Sequence, residues 1–240
     1  MQLLSDACGC LRIFGYHIEV ASAACAGELM TEAEIIHPTG DCLHFRRISS
    51  TVDGDVLMPL QGSPNPWTKK WAVKNQVWIS DIIRLGEFSD RGSENEVYMD
   101  SIHHVVNKLN DFRYADDNLE SFFQRIIIHN RLFSDCAYIL KGFAENQEGK
   151  ICAVLEQPFV RADREATIEE IAGALALMGF IPMHDGEYFT NGEVDIFDAL
   201  PNNVLHGIDG NIFFIDTICL PSNDNYLDTY KSLSPNWEIS

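Results

Sequence analysis

The sequence predicts an α+β fold, an antiparallel sheet in the middle of the chain followed by a smaller helical part, and three observations carry that expectation. Between Gly86 and Leu155 the order is strand, strand, strand, helix, strand, strand, with turn residues between successive apolar runs. Residues 167–180 (TIEEIAGALALMGF) place Thr167 and Glu170 as a capping box before a helical apolar pattern, and Gly179 as its stop. Residues 194–216 (VDIFDALPNNVLHGIDGNIFFID) hold two short apolar runs, Val194–Phe197 and Ile212–Ile215, each closed by an aspartate.

Taken in order, Ala21–Ile36 has helical propensity and Leu43–Leu60 alternates like strands around Asp53-Gly54. The segment from Gln61 to Pro66 (QGSPNP) is rich in breakers and marks a boundary. Three regions are expected: an N-terminal extension of unassigned role over 1–66, a sheet-bearing part over 67–155, and a reduced helical part over 156–240. Residues 67–85 repeat apolar side chains at three and four spacing, which predicts an amphipathic helix whose tryptophans, Trp67, Trp71 and Trp78, face the core. Asp116–Asn130 reads as a helix opened by acidic first-turn residues. Ala137–Ala144 and Lys150–Leu155 read as strands joined by a polar turn ending at Gly149.

With 46% hydrophobic and 22% charged residues the chain can bury a core. Its 17 basic against 36 acidic residues give a net charge of −19, which argues against a nucleic-acid backbone or an anionic membrane as main partner. No segment approaches the ~18 apolar residues of a membrane helix. The N-terminus lacks the basic start of a secretory signal, and seven scattered cysteines form no disulfide framework. A cytoplasmic protein with reduced thiols is the expectation.

In the 194–216 stretch, the natural pairing is a hairpin of the two apolar runs, with Asp198, Asn203 and Asp216 near one another at its polar ends. Two carboxylates and an amide beside buried strands are costly unless a cation binds there, and hard oxygen ligands suit a magnesium ion carrying phosphates. Asp198-Ala-Leu-Pro-Asn-Asn203 resembles the catalytic loop of the protein-kinase-like fold, an aspartate followed five residues later by a metal-binding asparagine. Asp216-Thr-Ile looks like that fold's second metal motif. With the earlier EQPF, the wording is closest to the kinase domains of bacterial and phage polyvalent proteins, and the resemblance covers Trp71 to Leu220.

The resemblance implies a two-lobed kinase-like fold that uses ATP and Mg2+. It implies Asp198 as the catalytic base, with Asn203 and Asp216 on the metal. Residues 92–98 (GSENEVY) occupy the place of the glycine-rich phosphate lid: Val97 roofs the adenine, Gly92 is the middle glycine, and Asp90 and Asn95 replace the outer two. Asn95 tolerates positive φ, so a tight turn survives there. Lys108 suits the phosphate-anchoring lysine, and Glu120 is its candidate partner. Glu156-Gln157-Pro158-Phe159 looks like the hinge between lobes, where the main chain meets the adenine edge and the donor comes from Gln157 or Phe159, since Pro158 has none.

Two departures temper this. Ile196-Phe197 stand where many kinases carry His-Arg before the aspartate, and only 24 residues follow Asp216, too few for a full helical lobe. The implied function is phosphoryl transfer from ATP to the hydroxyl of a protein or small molecule. The alternative is a catalytically silent nucleotide-binding or interaction module, a pseudokinase.

Overall fold

A computed structural model describes residues 66–113, 119–186, 188–223 and 229, and the backbone of 8–13, 16–25, 28–36 and 42–45. The described chain divides into two compact units, 1–130 with 138–157 and 131–137 with 158–240, so the main chain changes unit between Gln157 and Pro158. Among the described residues the fold is α+β, with antiparallel sheets and three α-helices.

In the first unit, β1 (Cys8–Ile13), β2 (Tyr16–Cys25), β3 (Glu28–Ile36) and β4 (Cys42–Phe45) form an antiparallel run. Ala21–Ile36 is therefore strand and not helix: its Ala, Glu and Met residues favour helix alone, but cross-strand pairing from His17↔Ile36 to Cys25↔Glu28 overrides that weak preference. The breaker-rich residues 61–65 lie outside the described residues. Then α1 (Pro66–Lys74) begins on a proline at its first position.

The expected helix over 67–85 ends early. Gln76 adopts φ 60°, the Gln76 N–H reaches the Val73 carbonyl at 3.2 Å and the Val77 N–H reaches that of Ala72 at 2.9 Å, a Schellman stop built without glycine. Beyond it Val77–Ile79 lies against Phe143, with the Ile79 N–H on the Phe143 carbonyl at 2.7 Å, and a 3-10 turn spans Ile82–Leu85.

The strands that follow are β5 (Glu87–Arg91), β6 (Asn95–Asp100) and β7 (Val105–Asn110), then α2 (Leu119–Leu132), β8 (Ile139–Glu145) and β9 (Ile151–Pro158). They complete a nine-stranded sheet of order β4-β3-β2-β1-β8-β9-β7-β6-β5, in which β5–β6, β6–β7 and β8–β9 pair antiparallel and β1 meets β8 in parallel at Arg12↔Ile139. β5 is the outer strand, exposed along its whole length, with a bulge between Phe88 and Asp90. One face of the sheet packs Leu140, Phe143, Ala153 and Leu155 against Trp71, Ala72 and the α2 residues Phe122, Phe123, Ile126 and Ile127. The other packs Tyr98, Leu109, Ala144, Cys152 and Val154 against Leu85. Gly142 allows the close approach of Val77 to β8: its φ is +145° and an added Cβ would lie 2.1 Å from the Val77 carbonyl oxygen.

The second unit was expected to be mainly helical. Among its described residues there is one α-helix and seven strands: β10 (Ala162–Glu165), α3 (Ile168–Leu177), β11 (Ile181–Met183), β12 (Tyr188–Thr190), β13 (Val194–Phe197), β14 (Val204–Gly207), β15 (Ile212–Phe214) and β16 (Ile218–Pro221). They pair as two antiparallel sheets, β10-β14-β15 and β11-β12-β13-β16. Helix α3 has the expected capping box between Thr167 and Glu170. It ends in a Schellman motif with Gly179 at φ 86°, where Gly179 and Phe180 donate to the carbonyls of Ala176 and Leu175.

Candidate functional site

In the second unit, β13 pairs with β16, Phe197 opposite Ile218, and β14 with β15, Val204 opposite Phe214. The expected hairpin of 194–197 with 212–215 is thus replaced by two separate pairings, because the third apolar run, Ile218–Pro221, takes β13. The polar residues still meet the same strand ends: Asp198 directly follows Phe197, and Asp216 lies two residues before Ile218. Asn203 joins them. Its Nδ2 donates to the Asp198 carbonyl at 2.9 Å, and its own carbonyl accepts the N–H groups of Ile215 at 2.9 Å and Asp216 at 3.4 Å.

The local sequence accounts for this shape. Asp198 takes φ 55°, a left-handed conformation that Asp and Asn adopt more readily than other side chains. Pro201 opens a 3-10 turn ending at Asn203, which is buried. The strands behind are fixed: Phe197 stacks on Tyr188 with centroids 5.1 Å apart, Phe214 stacks on Phe133 at 4.3 Å, and buried Asp195 accepts the Ser222 hydroxyl at 2.6 Å.

Two carboxylates and an amide oxygen are an all-oxygen donor set, which fits magnesium better than a softer metal. The Asn203 amide has a fixed orientation. Its nitrogen is committed to the Asp198 carbonyl, and its oxygen accepts one hydrogen bond, from Asn202 Nδ2 at 3.0 Å, leaving the second lone pair. Among the described residues no three His, Cys, Asp or Glu side chains converge, so a metal here would need the asparagine.

Near this loop, His206 of β14 places Nδ1 3.0 Å from Asp163, and Arg164 holds Glu170 through two contacts of 2.7 Å. The Arg164 guanidinium, with the Thr167 N–H, holds the Glu170 carboxyl at about 2. The hydrogen bond from His206 lowers that of Asp163.

The remaining candidates belong to the first unit, except Phe159, which belongs to the second. Gly92 opens the turn between β5 and β6, its N–H on the Asn95 carbonyl at 2.9 Å. Asn95 itself sits in β6, without the positive φ expected of it, and its side-chain oxygen accepts from Asn110 Nδ2 at 2.9 Å. Val97 pairs directly with Lys108, so both side chains stand on one face of the sheet. Lys108 is buried, with Nζ 3.4 Å from the Tyr138 hydroxyl and 5.3 Å from its ring centroid. Glu120 falls in the first turn of α2, and its side chain lies outside the described residues. Glu156 bridges to Lys141 at 3.0 Å, Gln157 is buried at the end of β9, and Phe159 is exposed.

Sequence reasoning missed one polar pair. Glu94, in the turn after Gly92, is buried against Arg125 of α2. Neither residue belongs to a spacing pattern, and only the folded sheet brings them together.

No curated protein and no solved structure matches the chain. No helix among the described residues is long and apolar enough to cross a membrane. Residues 65–222 match the model of the serine/threonine/tyrosine kinases found in polyvalent proteins, a span that takes in the Asp198–Asn203–Asp216 constellation and the Val97–Lys108 pair. The chain belongs to that kinase family.

Proposed function

We propose that the protein transfers the γ-phosphoryl group of ATP to a hydroxyl on a protein or small-molecule acceptor. The observation that carries this reading is the single residue Asn203, whose side chain and main chain tie Asp198 to Asp216. Asn203 and Asp216 supply oxygen ligands for magnesium, which neutralises phosphate charge when bound. Asp198, held on the same asparagine through its carbonyl, orients the acceptor hydroxyl and takes its proton. The acceptor oxygen bonds to the γ-phosphorus as the bond to the β-phosphate oxygen breaks, and ADP leaves. Lys108 anchors the phosphates, Val97 and the Glu156–Phe159 segment hold the adenine, and Gly92 lies in the turn over the phosphates.

A pseudokinase reading draws support from Asp90 at the end of β5, and from Gly92, where an added Cβ would meet nothing closer than 3.8 Å. Thermal-shift measurements with ATP and magnesium, separately and together, followed by mass spectrometry on the protein and a panel of acceptors, decide between the two. The expected result is stabilisation that needs both ligands, and a mass gain of one phosphate on an acceptor. ATP stabilisation that persists in excess chelator overturns the metal assignment. Binding without any transfer favours the pseudokinase.

A further inference from the structure

The turn after Gly92 carries a carboxylate, Glu94, where a negative side chain would oppose a triphosphate. Glu94 does not stand in that path. Its side chain is 6% exposed, and its two oxygens take the two arms of the Arg125 guanidinium, Nη1 at 3.0 Å from Oε2 and Nη2 on Oε1. Arg125, midway along α2, is 5% exposed. The main chain holds the same residue, because the Glu94 carbonyl accepts the Asp111 N–H at 3.0 Å. A guanidinium fork on a carboxylate fixes both planes and leaves the pair with no net charge.

We infer that Arg125 is a positioning residue for the nucleotide: it captures Glu94, cancels its charge and keeps a carboxylate from facing the phosphates. The inference rests on the reading of residues 90–95 as the phosphate lid. Its mark is a dependence on phosphate number. Loss of Arg125 leaves the Glu94 charge uncancelled beside the phosphates and adenosine contacts untouched, whereas a merely structural role would weaken adenosine and ATP alike.

The test compares adenosine, ADP and ATP affinities, with magnesium present, in the wild type, in Arg125→Gln and in Arg125→Gln/Glu94→Gln. Arg125→Gln should lower ATP affinity by on the order of tenfold, ADP by less, and leave adenosine within about twofold. The double variant, neutral at both positions, should regain the wild-type preference for ATP over adenosine. Should Arg125→Gln fail to fold, the double variant decides: a preference for ATP cut about tenfold there overturns the inference, and a wild-type preference supports it. A wild type that prefers ATP while Arg125→Gln keeps that preference also overturns it, and leaves the lid reading standing. A wild type that binds neither ligand, or binds both equally, overturns the lid reading and the inference with it.

Discussion

The two polar centres of this protein are held by different means. Around Asn203 the ties run to the main chain: the carbonyl of Asp198 and the N–H groups of Ile215 and Asp216. In the first unit the ties are side chain to side chain across long sequence separations, Glu94 to Arg125 over 31 residues and Lys108 to Tyr138 over 30. A centre wired through the main chain keeps its shape when a side chain is replaced by a near isostere. One wired through paired side chains loses both partners when either is removed, because the survivor is left buried and uncompensated.

Exchange at the first centre should therefore separate chemistry from shape. Asp198→Asn keeps the left-handed conformation and the carbonyl that Asn203 holds, and removes only the proton-accepting charge. Turnover should fall by about 10²–10⁴-fold with nucleotide affinity unchanged, as measured by steady-state transfer beside a binding titration. Equal transfer rates in the two proteins would remove Asp198 from the base role.

Exchange at the second centre should instead act on stability. Arg125→Met leaves the Glu94 carboxylate buried without its partner and should cost about 3–5 kcal/mol in urea unfolding. Arg125→Met combined with Glu94→Leu should recover most of that loss, since apolar replacement of a buried pair is often neutral. If the single variant unfolds at the wild-type urea concentration, the contrast between the two centres is lost.

Removing the proposed metal ligand Asp216 lies between these cases. Asp216→Ala should leave the unliganded protein near its wild-type melting temperature and abolish the stabilisation by ATP with magnesium. At a hundredfold excess over Kd that stabilisation is about 2.7 kcal/mol. ATP with magnesium raising the variant's melting temperature as in the wild type would contradict the ligand assignment.

The smallest effects concern the start of α3. Thr167→Ala removes a cap that accepts the Glu170 N–H and should cost about 1 kcal/mol by thermal unfolding. Glu170 adds a pH signature. Its carboxyl is held at about 2, below its unfolded value, so its contribution is complete above the ordinary carboxylate range and fades as pH falls toward 2. Glu170→Gln should flatten that part of the stability profile, read as melting temperature against pH. An unchanged slope would mean that Arg164 and the cap do not hold the charge.

The same division, local against distant, governs how much the sequence disclosed. The cap at Thr167, the stop at Gly179 and the Asp198–Asn203 spacing each involve neighbours along the chain, and each was legible. The end of α1 was not, because its left-handed residue is Gln76 in place of the usual glycine. The close approach beyond it depends on Gly142, a distant residue with no side chain to block Val77. The partner of β13 was misread for a related reason: three short apolar runs, 194–197, 212–214 and 218–221, are nearly equivalent as strands. In the structure the third pairs with β13 and the second with β14, and Asn203 ties the loop ends between them. The strands over 16–36 show the limit of propensity, since residues that favour helix alone pair along their length once a sheet is offered.

Strand β5 has a consequence for how the molecule behaves in company. An outer strand offers unpaired amide groups to any other chain, and a long flat one seeds aggregation. Here the invitation is withdrawn. Glu87, Asp90 and Arg91 place charge along the rim, the bulge between Phe88 and Asp90 breaks the register a newcomer would need, and Phe88 leans edge-on against Tyr98 with centroids 5.7 Å apart. A crowding strand would have to strip those charges of water and straighten the bulge before gaining its first hydrogen bond, so the sheet stops growing at this rim.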